Sequence, residues 1–165
     1  MARPSLWIGV LTAAQLAAGP AGSSTWTPLR NDRFGFHLEY PADVLRPQQS
    51  SEAGDGLLLV SRDESAKLLV GAFRNSDRHT PASYQDYVAR RSYAGFPVTY
   101  APRGQTWFVL SGERDGKIFY EKVMFSCGGG IITSFAMTYR SAERRRFDSI
   151  VERMENSFRP GIGCD

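Results

Sequence analysis

Residues 107–139 read WFVLSGERDGKIFYEKVMFSCGGGIITSFAMTY, and this stretch decides the fold. Trp107 to Glu113 and Lys117 to Cys127 are two runs rich in aromatic and β-branched side chains. Arg114-Asp115-Gly116 stands between them, and Asp-Gly tolerates the positive φ that a tight hairpin turn demands. Gly128-Gly129-Gly130 makes the next turn, into a third run from Ile131 to Tyr139. Along the middle run Phe119, Val123 and Phe125 fall on one face, and Ile118, Tyr120 and Met124 on the other. A strand that is apolar on both faces needs cover on both. The three runs therefore predict an antiparallel meander lying between other layers.

The covering elements flank this meander. Downstream, Ser141 to Phe158 predicts a helix, because Phe147, Ile150, Val151, Met154 and Phe158 recur at intervals of three and four. Pro160 and Gly161 stop it. Upstream, Thr80-Pro81 is a helix start: the threonine oxygen caps free amides, and proline at the first position loses no hydrogen bond. That helix is expected to reach Ser92, with Tyr84, Tyr87, Val88 and Arg91 at helical spacing. Gly95 and Pro97 break it before a short strand at Val98 to Ala101.

Farther upstream, Phe34 to Tyr40 alternates as a half-buried strand, with Phe36, Leu38 and Tyr40 on one face and Gly35, His37 and Glu39 on the other. Pro41-Ala42-Asp43 ends it, and Gln48 to Gly56 reads as a polar loop. Leu57 to Ser61 and Leu68 to Phe73 read as two strands joined by the charged turn Arg62 to Lys67. The expected class is α+β: one antiparallel sheet of about six or seven strands with helices packed on it.

A chain of 165 residues with 42% hydrophobic and 22% charged content has room for one globular domain. Residues 1–21 read as a secretory signal peptide. Arg3 supplies the positive start, an apolar run extends from Leu6 to about Leu16, and small residues follow to a cut between Ala21 and Gly22. The run is shorter than the roughly 20 residues a spanning helix needs, so the mature form is expected to carry no transmembrane span. An uncleaved anchor or a buried N-terminal helix is the other reading of this segment. Residues 22–33 are then a flexible leader, 34–160 the domain and 161–165 a tail, in the periplasm or outside the cell. Cys127 and Cys164 are an even pair, which in an oxidising compartment predicts a disulfide.

Two short motifs bracket the domain: Phe34-Gly35-Phe36-His37-Leu38-Glu39-Tyr40-Pro41 opens it, and the run from Ile150 to Ser157-Phe158 closes it. With the order of elements between them, the chain resembles the Mog1/PsbP-like superfamily. There a Gly-Phe strand ending in Tyr-Pro starts the domain and a helix ending in Ser-Phe closes it. Photosystem extrinsic subunits, a nuclear-transport GTPase partner and periplasmic bacterial proteins share that fold. The resemblance implies a binding or assembly module without chemistry of its own, and it carries over no functional residue.

The remaining constellations are sparse. His37 with Glu39, and Asp77 with His79, are metal-compatible pairs that half-exposed surface positions explain as well. Cys127 beside three glycines has no base near it in sequence, and the glycine run lacks phosphate-loop spacing. No catalytic, cofactor or metal residue is assigned. Two surfaces are candidates for a partner. One is the aromatic set Tyr84, Tyr87, Tyr93, Tyr100 and Trp107, and the other is the basic run Arg144-Arg145-Arg146 on the polar side of the last helix. The expectation is an exported, non-enzymatic protein that meets an envelope protein or an anionic envelope surface, and not nucleic acid. A small secreted hydrolase or metal-dependent enzyme, or a carrier of a small ligand, is the alternative.

Overall fold

The computed structural model describes residues 25–162 and 164; the signal segment and its cut before Gly22 lie outside the described residues. Trp26–Arg30 (β1) and His37–Pro41 (β2) pair as an antiparallel hairpin. Leu45–Ser50 (β3), Gly56–Ser61 (β4) and Lys67–Arg74 (β5) lead into the helix Pro81–Arg91 (α1). Val98–Tyr100 (β6), Trp107–Arg114 (β7), Lys117–Ser126 (β8) and Ile131–Arg140 (β9) follow, and Arg144–Ser157 (α2) closes the fold. β3 to β9 form one seven-stranded antiparallel sheet in the order β3-β4-β5-β9-β8-β7-β6. The meander read from residues 107–139 is β7-β8-β9, and Asp115 and Gly116 take the positive φ values, 51° and 74°, that its first turn needs.

The pleat sorts the side chains into two cores. On one face Leu68, Val70, Ile118, Phe135, Met137 and Tyr139 pack with Phe36 and Leu38 and with the α2 stripe Phe147, Ile150, Val151 and Met154. On the other, Phe108, Leu110, Phe119, Val123, Phe125 and Ile132 pack with Val88 of α1 and with Tyr93. Each such side chain contributes roughly 1.5–3 kcal/mol by leaving water.

Four readings need correction. Residues 25–33 are not all flexible leader: Trp26 packs against the first core, the Arg153 guanidinium lies 4.2 Å over its ring, and the Thr25 amide donates to Asp43 Oδ1. The loop expected from Gln48 begins as strand, because β3 runs to Ser50 along β4 with a bulge between Pro47 and Gln49. Only Leu45 of β3 is buried, so a sheet-edge strand reads as loop in sequence. α1 is rotated from its expected face: Gln85 is buried, while Tyr87 and Arg91 are exposed. The amide of Gln85 donates to the carbonyls of Ala101 and of Val109 in β7 and accepts from Arg103 Nη1 at 3.0 Å.

The fourth correction matters most. The sheet has cover on both faces, but the covers are staggered. α1 lies over the β7 half of one face, whereas α2 and the β1-β2 hairpin lie over the half of the other face built on β5 and β9.

The chain end is fastened in three places. Arg159 and His37 exchange backbone hydrogen bonds of 3.1 and 2.9 Å. Gly161 passes so close to the Phe34 carbonyl that no side chain fits there. Cys164 is bonded to Cys127, with their Cα atoms 5.3 Å apart, as the even pair predicted. Among the described residues no helix is long and apolar enough to cross a membrane.

Candidate functional site

Staggered covers leave two quadrants of the sheet without a helix, diagonally opposite each other. Beside α1, the face of β3, β4 and β5 is bare. Strand register places Leu58 opposite Leu69 and Gly56 opposite Gly71, and Phe73 follows Gly71 on the same face of β5. Leu69 is 56% exposed and Phe73 41%, unusual values for large apolar side chains in the middle of a sheet. They floor a trough of about 500 Å³ whose lining comes from β3, the 51–55 loop, β4, β5 and Ser134 of β9. The paired glycines deepen it: a Cβ on Gly71 would stand 3.0 Å from the Asp55 carbonyl oxygen, so bare backbone is the floor there.

The edges of the trough are held in place. On one side Ser51 Oγ accepts from the amides of Asp55 and Gly56, Asn31 Nδ2 donates to the Gly54 carbonyl, and Arg33 Nη1 donates to the Ala53 carbonyl. At its Phe73 end the trough meets an aromatic cluster. Phe73 meets Tyr84 at 5.9 Å between ring centroids, Tyr84 stacks on Tyr87, and the His79 ring lies against both tyrosines. Of the five exposed large hydrophobic side chains among the described residues, Leu69, Phe73 and Tyr87 belong to this one region.

The second bare quadrant, over β6, β7 and β8 beside α2, is polar. Its hollow of about 330 Å³ is lined by Tyr100, Ser111, Tyr120, Arg144 and the α2 acids Asp148, Glu152 and Glu155. Several groups in and around it are bonded to one another. Tyr120 Oη and Lys122 Nζ both donate to Glu155, Tyr139 Oη donates to Asp148, and Lys122 also lies over the Trp107 ring at 5.1 Å. Burial first, and then the bonded carboxylates, push the Tyr120 and Tyr139 hydroxyls well above their ordinary range. These bonds tie β8 and β9 to α2.

One carboxyl lies deep in the sheet. Glu121 is buried beneath α1, accepts from Tyr93 Oη at 2.7 Å and is hydrogen-bonded by Ser134, which also lines the trough. Burial raises its pKa, against the lowering effect of those two bonds. The same burial, with Glu121 and Tyr87 nearby, pushes Tyr84 up to about 12.

The sheet divides the aromatic set read from sequence. Tyr84 and Tyr87 cluster beside Phe73 and Tyr93 is buried against Phe119, whereas Tyr100 and Trp107 lie on the opposite face. They line no common groove. The basic run is likewise divided. Arg144 pairs with Glu113 and Arg146 with Glu143, leaving Arg145 without an ion pair among the described residues. His37 sits in the hairpin on the α2 side and His79 on the α1 side, and the Cys127 sulfur is committed to the disulfide. The sequence pattern marks Leu58, Leu69 and Phe73 only as strand residues. The signal that would have singled them out is that Leu57 to Val60 and Leu68 to Phe73 are apolar on both faces, while the chain supplies one helix for each side of the sheet.

No protein-family model and no curated protein matches the chain. Among solved structures it is similar to the cyanobacterial PsbP (CyanoP) of Synechocystis, at 12% identity and a TM-score of 0.61 over 87% of this chain and 97% of that one. The chain has the Mog1/PsbP-like fold. A second such structure, the Ran-binding protein Mog1p of Saccharomyces cerevisiae, has a TM-score of 0.58 at 9% identity, over 83% of this chain and 96% of that one. At these identities the Mog1/PsbP-like likeness fixes the architecture and leaves the site to be read from this chain's own residues.

Proposed function

We propose that the chain is an exported, non-enzymatic binding or assembly protein of the cell envelope, and that the trough over β3, β4 and β5 is its docking surface. The observation that carries this reading is the exposure of Leu69 and Phe73 on a sheet face that α1 leaves bare. Contiguous exposed apolar surface between polar rims is what a soluble chain keeps for a partner. The disulfide fits an oxidising compartment, in keeping with export. The separation of His37, His79 and Cys127 supports binding over hydrolysis, since catalysis needs its groups within hydrogen-bond reach of one another.

Recovery of partners from envelope extract, run beside a panel of hydrolase substrates, tests the reading. Leu69→Asp and Phe73→Asp should each abolish recovery, while Tyr100→Ala should leave it intact. Turnover of any substrate that is lost on changing His37 or His79 would replace this reading with an enzyme.

A further inference from the structure

We infer that the trough takes one amphipathic α-helix of another envelope protein, with acidic residues at the end that lies over Arg46 and Lys67. This inference rests on the binding reading above and adds the form and charge of the partner.

The dimensions come first. The trough's floor runs from Leu69 to Phe73, about 13 Å at roughly 3.3 Å per residue, and the same face of β5 continues to Lys67, about 20 Å in all, which a helix of about 13 residues spans. Its width is that of β3, β4 and β5, about 10 Å between the outer strands, close to the diameter of a helix. α1 already occupies the neighbouring half of this face, so a second helix would complete a layer the fold leaves half built. Opposed Gly56 and Gly71 leave no side chain of this chain standing between Leu69 and Phe73.

Asp55, the charged residue in the trough's own lining, is paired with Arg33, and charge beyond the other end selects the occupant. Beyond the β4-β5 turn end of the trough, register sets exposed Arg46 and Lys67 on either side of Val60, which is itself buried. Lys67 shares the adjoining hollow with Lys117 and Arg140, and Glu64 is the acid there. None of these four cations has an ion pair among the described residues. The last turn of α1 adds Arg90 and Arg91. A second copy that seated its α1 in the trough, about a two-fold axis along the groove, would bring Arg90 and Arg91 onto Arg46 and Lys67. That repulsion disfavours self-association and calls for an acidic partner. A lone acyl chain fits less well, because the lining supplies floor and sides but no roof, and half the chain would stay in water. A helix brings its own polar outer face.

The test is photo-crosslinking of the full exported chain in its native cells, with p-benzoylphenylalanine placed at Leu69 or, on the opposite quadrant, at Tyr100. The adducts are mapped by mass spectrometry, and circular dichroism checks that each protein is folded. The expected result is a Leu69 adduct within an acidic amphipathic helical segment of another protein, absent from the Tyr100 sample. Its yield should fall at least tenfold when Arg46→Glu and Lys67→Glu are combined. A Leu69 adduct to lipid, to a second copy, or to an extended or basic segment overturns the helix and leaves the docking surface standing. So does a yield indifferent to the charge reversal. No adduct at Leu69 above that of an irradiated wild-type control overturns the inference and the docking surface together.

Discussion

Removing the Cys127–Cys164 bond, by Cys127→Ser with Cys164→Ser, should lower stability by about 4 kcal/mol without changing the native fold. The bond closes a loop of 37 residues. On the chain-entropy relation, −2.1 − 1.5R ln n, it denies the unfolded chain about 13 cal/mol/K, or about 4 kcal/mol at 25 °C. The folded side of the balance changes little, because the tail has other fastenings. Arg159 stays bonded to His37, and Gly161 stays seated against Phe34. For a domain of this size 1 kcal/mol corresponds to roughly 3–4 °C, so the melting temperature should fall by about 10–15 °C. Calorimetry of the oxidised protein beside the double serine variant gives the shift, and near-ultraviolet circular dichroism at 20 °C should superimpose for the two. A shift below about 3 °C would refute the unfolded-chain reasoning. Lost near-ultraviolet signal would refute the claim that the tail is held independently of sulfur.

Glu121→Gln should raise the melting temperature at neutral pH and flatten its pH dependence. Burial raises this pKa, so the native fold favours the protonated form; its contribution is complete below the ordinary carboxylate value of 4.5 and fades as pH rises through the elevated one. A variant less stable than the parent at pH 7 would show that the charged form is the one the fold holds. Gln85→Ala should cost about 1–3 kcal/mol in urea unfolding, since the buried carbonyl of Val109 and the half-buried bond to Ala101 lose their side-chain donor; an unchanged midpoint would mean that water replaces it. Gly161→Ala should detach the tail, seen as accelerated amide exchange at His37 and Arg159, because a Cβ there collides with the Phe34 carbonyl; protection equal to the parent would contradict the close approach.

What sequence made legible was whatever a single element states by itself. The α2 stripe from Phe147 to Met154 is buried as its spacing implied, and the meander pairs through the turn that Asp115-Gly116 announced. β3 went unseen because an edge strand with one buried residue and a bulge at Pro47 has no alternation to read. β1 went unseen because Trp26-Thr27-Pro28-Leu29-Arg30 alternates poorly and acquires its order only from pairing with β2 and packing of Trp26. The site was less legible for a related reason. Tyr84 to Trp107 cluster along the chain, yet the sheet passes between them, and no local pattern states on which face a distant strand presents its side chains. Leu69 and Phe73 carried the information only in combination, as apolar residues on a face for which no helix remained.

Solvent accessibility of the leucine methyl groups tests the docking trough most directly. A soluble paramagnetic probe is added to methyl-labelled processed protein, first alone and then with envelope extract. The account predicts strong broadening of Leu58 and Leu69 but not of Leu59 and Leu68 in the free protein, and protection of Leu58 and Leu69 once extract is present. Leu69 shielded in the free protein, or equally broadened with and without extract, would contradict it.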